Sequence, residues 1–245
     1  MADLQSKMAE LSLTQPEVQV ALAVVAATIL LLVILKLLAG KKRGSAVLLV
    51  GPCNGGKTTL FYQLKDGSTR LGTVASMQEN EGLCQVRNEK DRVLGSVRVL
   101  DLPGHPRLRS KLEQYLKDAS AVVLVIDSAD ITPNKTEAAE DLFEVLTHPV
   151  VARRRLPVLL ACNKADLETQ AHSVDFCRRT IEKQLDAMRK TRLALGGDAG
   201  RAIAALGKPD KPLSLGALRS PISAASISAE KGDVVEVMRF FSKLV

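Results

Sequence analysis

Hydrophobic positions near the start of the chain form one long, uninterrupted run. Residues 20–35 contain no charged side chain, and Thr28 is the only polar residue among them. A helix needs about 20 mostly apolar residues to cross the hydrocarbon core of a membrane. The run is apolar on every side of a helix, whereas a helix that lies in the membrane surface has one polar face. The pattern predicts a transmembrane helix at residues 18–39.

The charges on either side of this run predict its orientation. Residues 1–17 are mildly acidic, and a basic triplet at 41–43 follows the run within a short flank at 40–45. Basic flanks stay on the cytosolic side of a membrane span. This predicts a cytosolic domain at 46–245 and a short N-terminus on the opposite, lumenal side. A cleaved signal peptide and a buried core helix are the alternatives.

After residue 46 the pattern changes to short apolar runs that alternate with helix-like segments. The runs at 46–50, 121–127 and 158–162 are almost entirely apolar, as in parallel strands that are buried on both faces. Further strands are predicted at 83–87, 93–100 and 223–228, and helices at 57–64, 107–118, 136–146, 172–195 and 234–244. The alternation predicts an α/β fold with a doubly wound, mostly parallel sheet, whose ligands lie at the carboxyl ends of the strands.

Residues 196–219 interrupt this alternation. They are rich in Gly, Pro, Ala and Lys, poor in acidic residues, and show no sustained hydrophobic period. Such a segment predicts a flexible surface insertion within the domain.

Composition narrows the classes of partner. Aromatic residues make up 3% of the chain and Trp is absent, which excludes the usual stacking platforms for single-stranded nucleic acids. We therefore expect no direct nucleic-acid partner. The densest basic run is Arg153-Arg154-Arg155, interpreted as a solvated helix end, with contact to anionic lipid or RNA as the alternative. The cysteines lack a Cys-x-x-Cys spacing, which argues against a metal site or a disulfide framework.

A phosphate-binding loop is the clearest chemical motif. Residues 51–58 read GPCNGGKT and match G-x-x-x-x-G-K-[ST] between a predicted buried strand and a predicted helix. Backbone N–H groups of such a loop surround phosphate oxygens, and the helix dipole adds to the attraction. Lys57 is expected to reach the β- and γ-phosphates, and Thr58 to bind Mg²⁺. The predicted nucleotide-binding residues of the loop are Gly51, Cys53, Asn54, Gly55, Gly56, Lys57, Thr58 and Thr59.

The base is predicted from Asn163, Lys164 and Asp166, which match N-K-x-D after a buried strand. The Asp166 carboxylate can accept hydrogen bonds from guanine N1–H and N2–H, a donor pair that adenine lacks. A buried carboxylate without its donors disfavours the wrong base. Lys164 is expected to cover the face of the base, and Asn163 to brace the loops. Ser228 and Ala229 follow the last predicted strand, where the Ala229 N–H is expected to contact guanine O6.

A third motif, D-x-x-G, follows another predicted strand at Asp101 and Gly104. Asp101 is expected to hold Mg²⁺ through water, and the Gly104 N–H to sense the γ-phosphate. His105 follows directly, and a neutral imidazole at this place can orient the attacking water. A histidine that merely caps the turn is the alternative.

Taken together, these features resemble the β subunit of the signal recognition particle receptor, a family of Arf/Ras-like P-loop GTPases. Members are held in the endoplasmic reticulum by an N-terminal transmembrane helix. The resemblance covers nearly the whole chain, including an insertion before the last strand. It is carried by the apolar run with its basic stop and by AVLLVGPCNGGKTTLFYQL, VLDLPGH, IDSA, LLACNKADL and SISAEKGD. The resemblance implies GTP or GDP and Mg²⁺ as cofactors.

The chain departs from the family pattern at several positions. A hydroxyl side chain that binds Mg²⁺ is expected between residues 66 and 80. Thr69, Thr73 and Ser76 are the candidates, and sequence spacing does not decide among them. Aligned with the family's T-x-T-S stretch, Ala75 replaces the expected Thr and Ser76 is the substitute ligand. The other departures are Glu230, where the family has Lys, and Cys53, which stands at a Gly position of Ras-type loops and would crowd an incoming arginine finger.

The resemblance implies a membrane-anchored GTP-binding switch in the endoplasmic reticulum membrane. In this family the GTP-bound β subunit docks the receptor α subunit and tethers it where ribosomes are delivered to the translocon. The ribosome and the translocon are expected as indirect partners, and hydrolysis is expected to be slow. Two other functions stay open. One is an anchored Arf-like GTPase of membrane traffic, and the other is a P-loop ATPase or kinase, which the N-K-x-D motif disfavours.

Overall fold

The computed structural model divides the chain into two compact units. The described residues are 16–38, 46–68, 78–87, 92–104, 109–194, 203, 206–208 and 210–245. The first unit is Met1–Arg43 and the second is Gly44–Val245. The first unit contributes one described helix, and the second contains the sheet and the remaining described helices.

The helix of the first unit, α1, spans Pro16–Leu38 and is 23 residues long. Its side chains at 19–31 are exposed. The Thr28 hydroxyl donates to the Val24 carbonyl at 2.7 Å, which satisfies this polar group within the helix. Among the residues that the structure describes, no helix combines the length and the hydropathy of a membrane span. The predicted membrane segment stays a prediction, and the flank at 40–45 lies outside the described residues.

One six-stranded sheet forms the centre of the second unit. Its strands are β1 (Ala46–Val50), β2 (Asn80–Arg87), β3 (Val93–Asp101), β4 (Ala119–Asp127), β5 (Val158–Asn163) and β6 (Ile222–Ser226). Their order is β2-β3-β1-β4-β5-β6, and neighbouring strands are parallel except for the antiparallel pair β2 and β3. The predicted mostly parallel α/β sheet is confirmed. Parallel strands bring their carboxyl ends, where ligands bind, to one edge.

The helices connect the strands on both faces of the sheet. They are α2 (Lys57–Asp66), α3 (Arg109–Asp118), α4 (Ile131–Thr147), α5 (Pro149–Arg154), α6 (Val174–Ala194) and α7 (Val235–Ser242), and a 3₁₀ turn spans Leu215–Ala217. Helix α5 was not predicted, because six residues are too few to show a helical period. Its start is fixed by Pro149 in the first turn and by His148, whose Nδ1 accepts a hydrogen bond from the Val150 N–H at 3.3 Å.

The sheet separates two layers of apolar core. Alternate residues of a strand face opposite sides, so Leu48 packs in one layer and Leu49 in the other. Helices α3, α4 and α6 cover the first layer, and α2 and α7 cover the second. Because both faces are covered, β1 is apolar at every position and β4 and β5 are apolar along most of their length, which is the pattern seen in the sequence.

Part of the segment at 196–219, which is predicted to be a flexible insertion, packs against the core. Where the structure describes this segment, Ile203, Leu206, Leu213 and Leu215 are buried in the first core layer. Their irregular spacing has neither a helical nor a strand period, which is why the hydrophobic pattern did not reveal them. The described part of the segment thus contributes to the core, and the flexibility of the insertion stays a prediction.

A buried arginine fastens this segment to α6. Arg189 is 1% exposed, and its guanidinium donates to the carbonyls of Leu206 at 3.0 Å, Lys208 at 2.9 Å and Lys211 at 2.7 Å. It also pairs with Asp186, one turn earlier on the helix. A guanidinium has five N–H donors in a fixed plane. One side chain therefore satisfies backbone groups that regular secondary structure would otherwise pair.

We predict that Arg189→Met lowers the free energy of unfolding by about 3–5 kcal/mol, because it leaves three carbonyls of the segment without their donor and removes one of the two cations that pair with Asp186. Chemical denaturation followed by circular dichroism measures the change. The matched control is Arg178→Met on the same helix, whose ion pair with Asp175 is exposed and contributes at most about 1 kcal/mol. Equal denaturation midpoints for the two variants would show that Arg189 does not hold the segment.

Candidate nucleotide-binding site

The phosphate loop joins the end of β1 to the start of α2. Its backbone turns through positive φ angles at Gly51 (139°), Asn54 (62°) and Gly56 (88°). Gly56 caps α2, so the first N–H groups of the helix face the loop. The loop therefore combines the curled backbone and the helix N-terminus that bind a phosphate group.

Two glycines of the loop have no room for a side chain. A Cβ atom on Gly51 would lie 2.2 Å from the Val125 carbonyl oxygen of β4, and one on Gly56 would lie 2.2 Å from Asn163 Nδ2. Both distances are far inside van der Waals contact. The glycines thus let the loop pack directly on β4 and on the first residue of the N-K-x-D motif.

The Lys57 ammonium is buried inside the loop. It donates to the carbonyls of Gly51 at 2.9 Å and Pro52 at 2.8 Å. Burial lowers the pKa of Lys57 from its ordinary value, and the negative charge of Asp101 opposes that shift. Neutral carbonyls compensate a buried cation less well than an anion does. A phosphate group is therefore a favourable partner for Lys57.

The D-x-x-G turn after β3 packs against this loop. A Cβ atom on Gly104 would lie 2.7 Å from Lys57 Nζ and 2.8 Å from the Gly51 carbonyl oxygen. Only glycine fits at that distance. The Gly104 backbone therefore lies beside the cation that is expected to bind the γ-phosphate.

Asp101 is fully buried at the end of β3, where one carboxylate oxygen accepts two side-chain hydrogen bonds. Thr58 Oγ1 donates to Asp101 Oδ2 at 2.7 Å, and Asn80 Nδ2 donates to the same atom at 2.9 Å. Hydroxyl and carboxylate oxygens are the ligands that Mg²⁺ prefers. This donor set fits a magnesium ion held by Thr58 and, through water, by Asp101.

Asn80 is a site residue that the sequence analysis missed. It is the first residue of β2, and its Cα lies opposite that of Asp101 in the antiparallel ladder. Directly opposed residues bring their side chains together across the strands. The register that creates this contact depends on how the two strands align, and no local sequence pattern encodes that alignment.

The Asn163 side chain joins the phosphate loop to the loop after β6. Its Nδ2 donates to the Gly55 carbonyl at 2.9 Å, and its Oδ1 accepts from the Ala229 N–H at 2.9 Å. This geometry agrees with the bracing role predicted for Asn163. In this structure the Ala229 N–H thus donates to Asn163, and its contact with guanine O6 stays a prediction.

Asp166 is oriented by Ser228. The Ser228 hydroxyl donates to Asp166 Oδ1 at 2.6 Å and accepts from the Lys231 N–H at 3.2 Å. The half-buried carboxylate is therefore fixed from one side by the loop after β6. Ser228 thus has a positioning role, whereas the sequence placed it in the site without one.

The Lys164 side chain is held by a carboxylate at the end of β4. Lys164 adopts a left-handed backbone, with φ of 63°, and its ammonium lies 2.6 Å from Asp127 Oδ2. The other oxygen of Asp127 accepts from the Ala129 N–H at 2.9 Å. Asp127 belongs to the I-D-S-A sequence, and the structure shows that it positions Lys164.

Comparison with known protein families identifies the family to which this chain belongs. The sequence profile of the signal recognition particle receptor beta subunit matches residues 42–204. The chain belongs to this family. The human signal recognition particle receptor subunit beta is 34% identical over 232 residues, which cover 92% of this chain and 84% of the human protein.

Comparison with solved structures gives the same receptor family. The mammalian signal recognition particle receptor matches with a TM-score of 0.70 and 32% identity, over 82% of this chain and all of that chain. A complex of the receptor subunit SRb with GTP and SRX from Chaetomium thermophilum has a TM-score of 0.59 and 20% identity, over 83% and 99% of the two chains. At that identity it supports the fold alone. The second unit thus has the Arf/Ras-like GTPase fold.

This member of the receptor family brings the described site residues together at the carboxyl ends of β1, β3, β4 and β5. Cys53 and Asn54 are exposed in the phosphate loop, and Thr59 is half-buried in α2. All four cysteines are free thiols. The predicted residues that lie outside the described part of the chain are Thr69, Thr73, Ala75, Ser76 and His105. Their roles stay predictions.

We predict that Asn80→Ala weakens Mg²⁺ binding by this receptor subunit about tenfold, because Asp101 loses a hydrogen bond that orients it. The measurement is the release of a fluorescent GDP analogue at increasing Mg²⁺ concentration. The Mg²⁺ midpoint should rise, while release in excess EDTA stays unchanged. Gln85→Ala, exposed on the same strand, is the control. An unchanged midpoint for Asn80→Ala would remove Asn80 from the metal site.

Proposed function

We propose that this protein is a membrane-anchored GTP-binding switch whose GTP-bound form docks the receptor α subunit at the endoplasmic reticulum membrane. The observation that carries the proposal is the Asn163 bridge between the Gly55 carbonyl and the Ala229 N–H. This buried residue fixes the distance between the phosphate loop and the loops expected to bind the base. A fixed distance suits a nucleoside triphosphate, whose base and phosphates are joined through one ribose.

Guanine is the base that the carboxylate of Asp166 fits best. Ser228 holds one oxygen of this carboxylate, so the group is oriented before a base arrives. Guanine offers N1–H and N2–H as donors, whereas adenine has an acceptor at N1. An adenine base would leave the carboxylate without the donor pair that guanine provides, which costs far more binding energy than a neutral mismatch.

The phosphate end of the site supports slow hydrolysis of GTP with Mg²⁺. Thr58 and Asp101 would hold the ion, which when bound neutralises charge on the β- and γ-phosphate oxygens. Lys57 supplies a positive charge that is already buried, so little solvent must reorganise when phosphate charge develops. We propose that hydrolysis is slow because Ala75 replaces the family's switch Thr. His105 is proposed to orient the attacking water.

The partner and the location follow from the family. The Chaetomium SRb subunit was solved with GTP in a complex with SRX, which supports the GTP-bound state as the docking state. For this chain we propose the receptor α subunit as partner, with the ribosome and the translocon as indirect partners. The apolar run at 18–39 is proposed as the membrane anchor, with residues 1–17 in the lumen and the GTPase domain in the cytosol.

We predict that Asp166→Asn weakens GTP binding at least about a hundredfold and improves binding of xanthosine triphosphate (XTP), because the amide matches the additional carbonyl of xanthine. Competition against a fluorescent GDP analogue measures both affinities. Glu168→Gln removes an exposed carboxylate two residues away and should change neither affinity. Retained GTP selectivity in Asp166→Asn would exclude Asp166 from the base site.

The docking function is tested by capture of the α subunit on the full-length chain in detergent or vesicles. The wild-type chain should retain the α subunit with a non-hydrolysable GTP analogue and release it with GDP. The Asp166→Asn variant should retain it with XTP, to which other GTP-binding proteins in the sample do not respond. Equal capture of the α subunit with the GTP analogue and with GDP would contradict the proposed switch. Capture of vesicle-coat proteins in place of the α subunit would favour an Arf-like role in traffic.

A further inference from the structure

Basic side chains gather at the edge of the sheet where the parallel strands begin. β1, β3, β4, β5 and β6 run in one direction, and β2 runs in the other, so this edge contains five strand starts and the end of β2. Several basic residues lie at or just before these strand ends, and all of them are exposed or half-buried. We call this group the basic edge; its members are Arg87, Arg92, Lys117, Arg153, Arg154, Arg155 and Arg219.

The acidic residues that the structure describes close to these strand ends do not balance the basic edge. Asp118 follows Lys117, Glu113 lies one turn earlier on the same helix, and Asp66 and Glu144 lie in the last turns of α2 and α4. Asp210 lies in the segment before β6, between Lys208 and Lys211. The basic edge therefore keeps a net positive charge within the described part of the domain.

Helix dipoles explain only some of these charges. Lys117, Arg153 and Arg154 lie in the last turns of α3 and α5, where a cation stabilises the negative end of a helix. The Arg154 guanidinium also donates to the Lys117 carbonyl at 3.2 Å, which ties the two helix ends together. Arg92 and Arg219 lie outside the helices and precede strands. Their charge has no such helical role.

Arg155 adds a second observation. It ends α5 in a left-handed conformation, with φ of 53°, a conformation that glycine or asparagine adopts more easily. Its side chain is exposed. An arginine at this position therefore costs backbone strain without a gain in core packing, which is the pattern expected where a surface charge is functional.

The charge at the other edge of the sheet is opposite in sign. Asp101, Asp127 and Asp166 lie at or just after the carboxyl ends of β3, β4 and β5. The lysines there, Lys57 and Lys164, contact the phosphate loop and Asp127. An anionic partner at the basic edge would therefore not compete with the nucleotide for the same surface.

We propose that the basic edge binds the headgroups of anionic phospholipids. The inference rests on the membrane association proposed above. Covalent continuity favours lipid as the partner, because β1 begins at this edge with Ala46, three residues after Arg43, the last residue of the basic triplet behind the proposed anchor. Lys and Arg near an anionic leaflet are attracted over about 8 Å at physiological salt. RNA is the less suitable partner, because the chain is poor in aromatic side chains for base stacking.

This orientation would leave the nucleotide edge on the side of the sheet away from the lipid. The phosphate loop and the turn at Gly104 would then face the cytosol, where a docking partner approaches. Lipid binding at one edge and partner binding at the other are compatible on a single sheet.

Tryptophan fluorescence tests the inference on the full-length chain in vesicles, because the natural chain has no Trp. Ala217→Trp places a probe at an exposed position two residues from Arg219, and Glu168→Trp places one after β5 at the nucleotide edge. The measurement is energy transfer from Trp to dansyl-labelled lipid. The vesicles contain phosphatidylcholine with either no phosphatidylserine or about 30 mol% of it.

Anionic lipid should increase energy transfer from the probe at position 217 about twofold, with little change for the probe at position 168, because only the basic edge is attracted. The joint substitution of Arg153, Arg154 and Arg155 by Gln should remove the increase, as should about 0.5 M salt. The control is the joint substitution of Arg178 and Arg179 by Gln on α6, where both side chains are exposed, and it should keep the increase.

Flotation of the same vesicles separates this inference from the proposed function. A chain that does not float with the vesicles would overturn the proposed membrane association and this inference with it. A chain that floats but shows no response to phosphatidylserine would overturn the basic edge as a lipid site and leave the proposed function standing. Binding of an oligouridine probe that depends on Arg153–Arg155, without a lipid response, would assign the edge to RNA instead.

Discussion

The hydrogen bonds of the Asn163 side chain set the geometry on which the nucleotide site depends. Asn163 ends β5, is buried, and contacts Gly55 on one side and Ala229 on the other. Its amide fills the space that a side chain at position 56 would need. Gly56 must therefore be glycine, and as the cap of α2 it fixes where that helix begins. The positions of Lys57 and Thr58, the first residues of α2, follow from this contact.

The charges of the site remain stable in the core because each contacts a polar partner. Asp127 pairs with Lys164, and Asp101 accepts hydrogen bonds from Thr58 and Asn80. Lys57 differs from these paired charges, because its ammonium donates to neutral carbonyls and burial lowers its pKa. A buried charge with neutral partners destabilises a fold more than a paired one does. A bound anion would compensate the charge of Lys57 better than the carbonyls do. The interaction that destabilises the fold without phosphate therefore strengthens phosphate binding.

The sequence predicted those parts of the site that lie in short sequence motifs. Lys57 and Asp166 follow strands whose continuous apolar runs are readable without a structure, and Asp101 begins a D-x-x-G motif at the end of β3. Contacts that depend on register were not readable, as the pairing of Asn80 with Asp101 shows. The packing of the segment at 196–219 was not readable for a related reason. Its buried leucines have no period, and the Arg189 guanidinium that fastens the segment lies on another element.

The parallel direction of the strands links the two surfaces of the domain. Because β1, β3, β4, β5 and β6 point the same way, the chain must return through helices that end at the edge where the strands begin. Cations favour helix ends, so this topology already concentrates positive charge there and leaves carboxylates with the nucleotide at the other edge. The additional charges of Arg92, Arg155 and Arg219 strengthen an asymmetry that the fold creates. The proposed lipid contact at one edge is therefore compatible with nucleotide binding at the other.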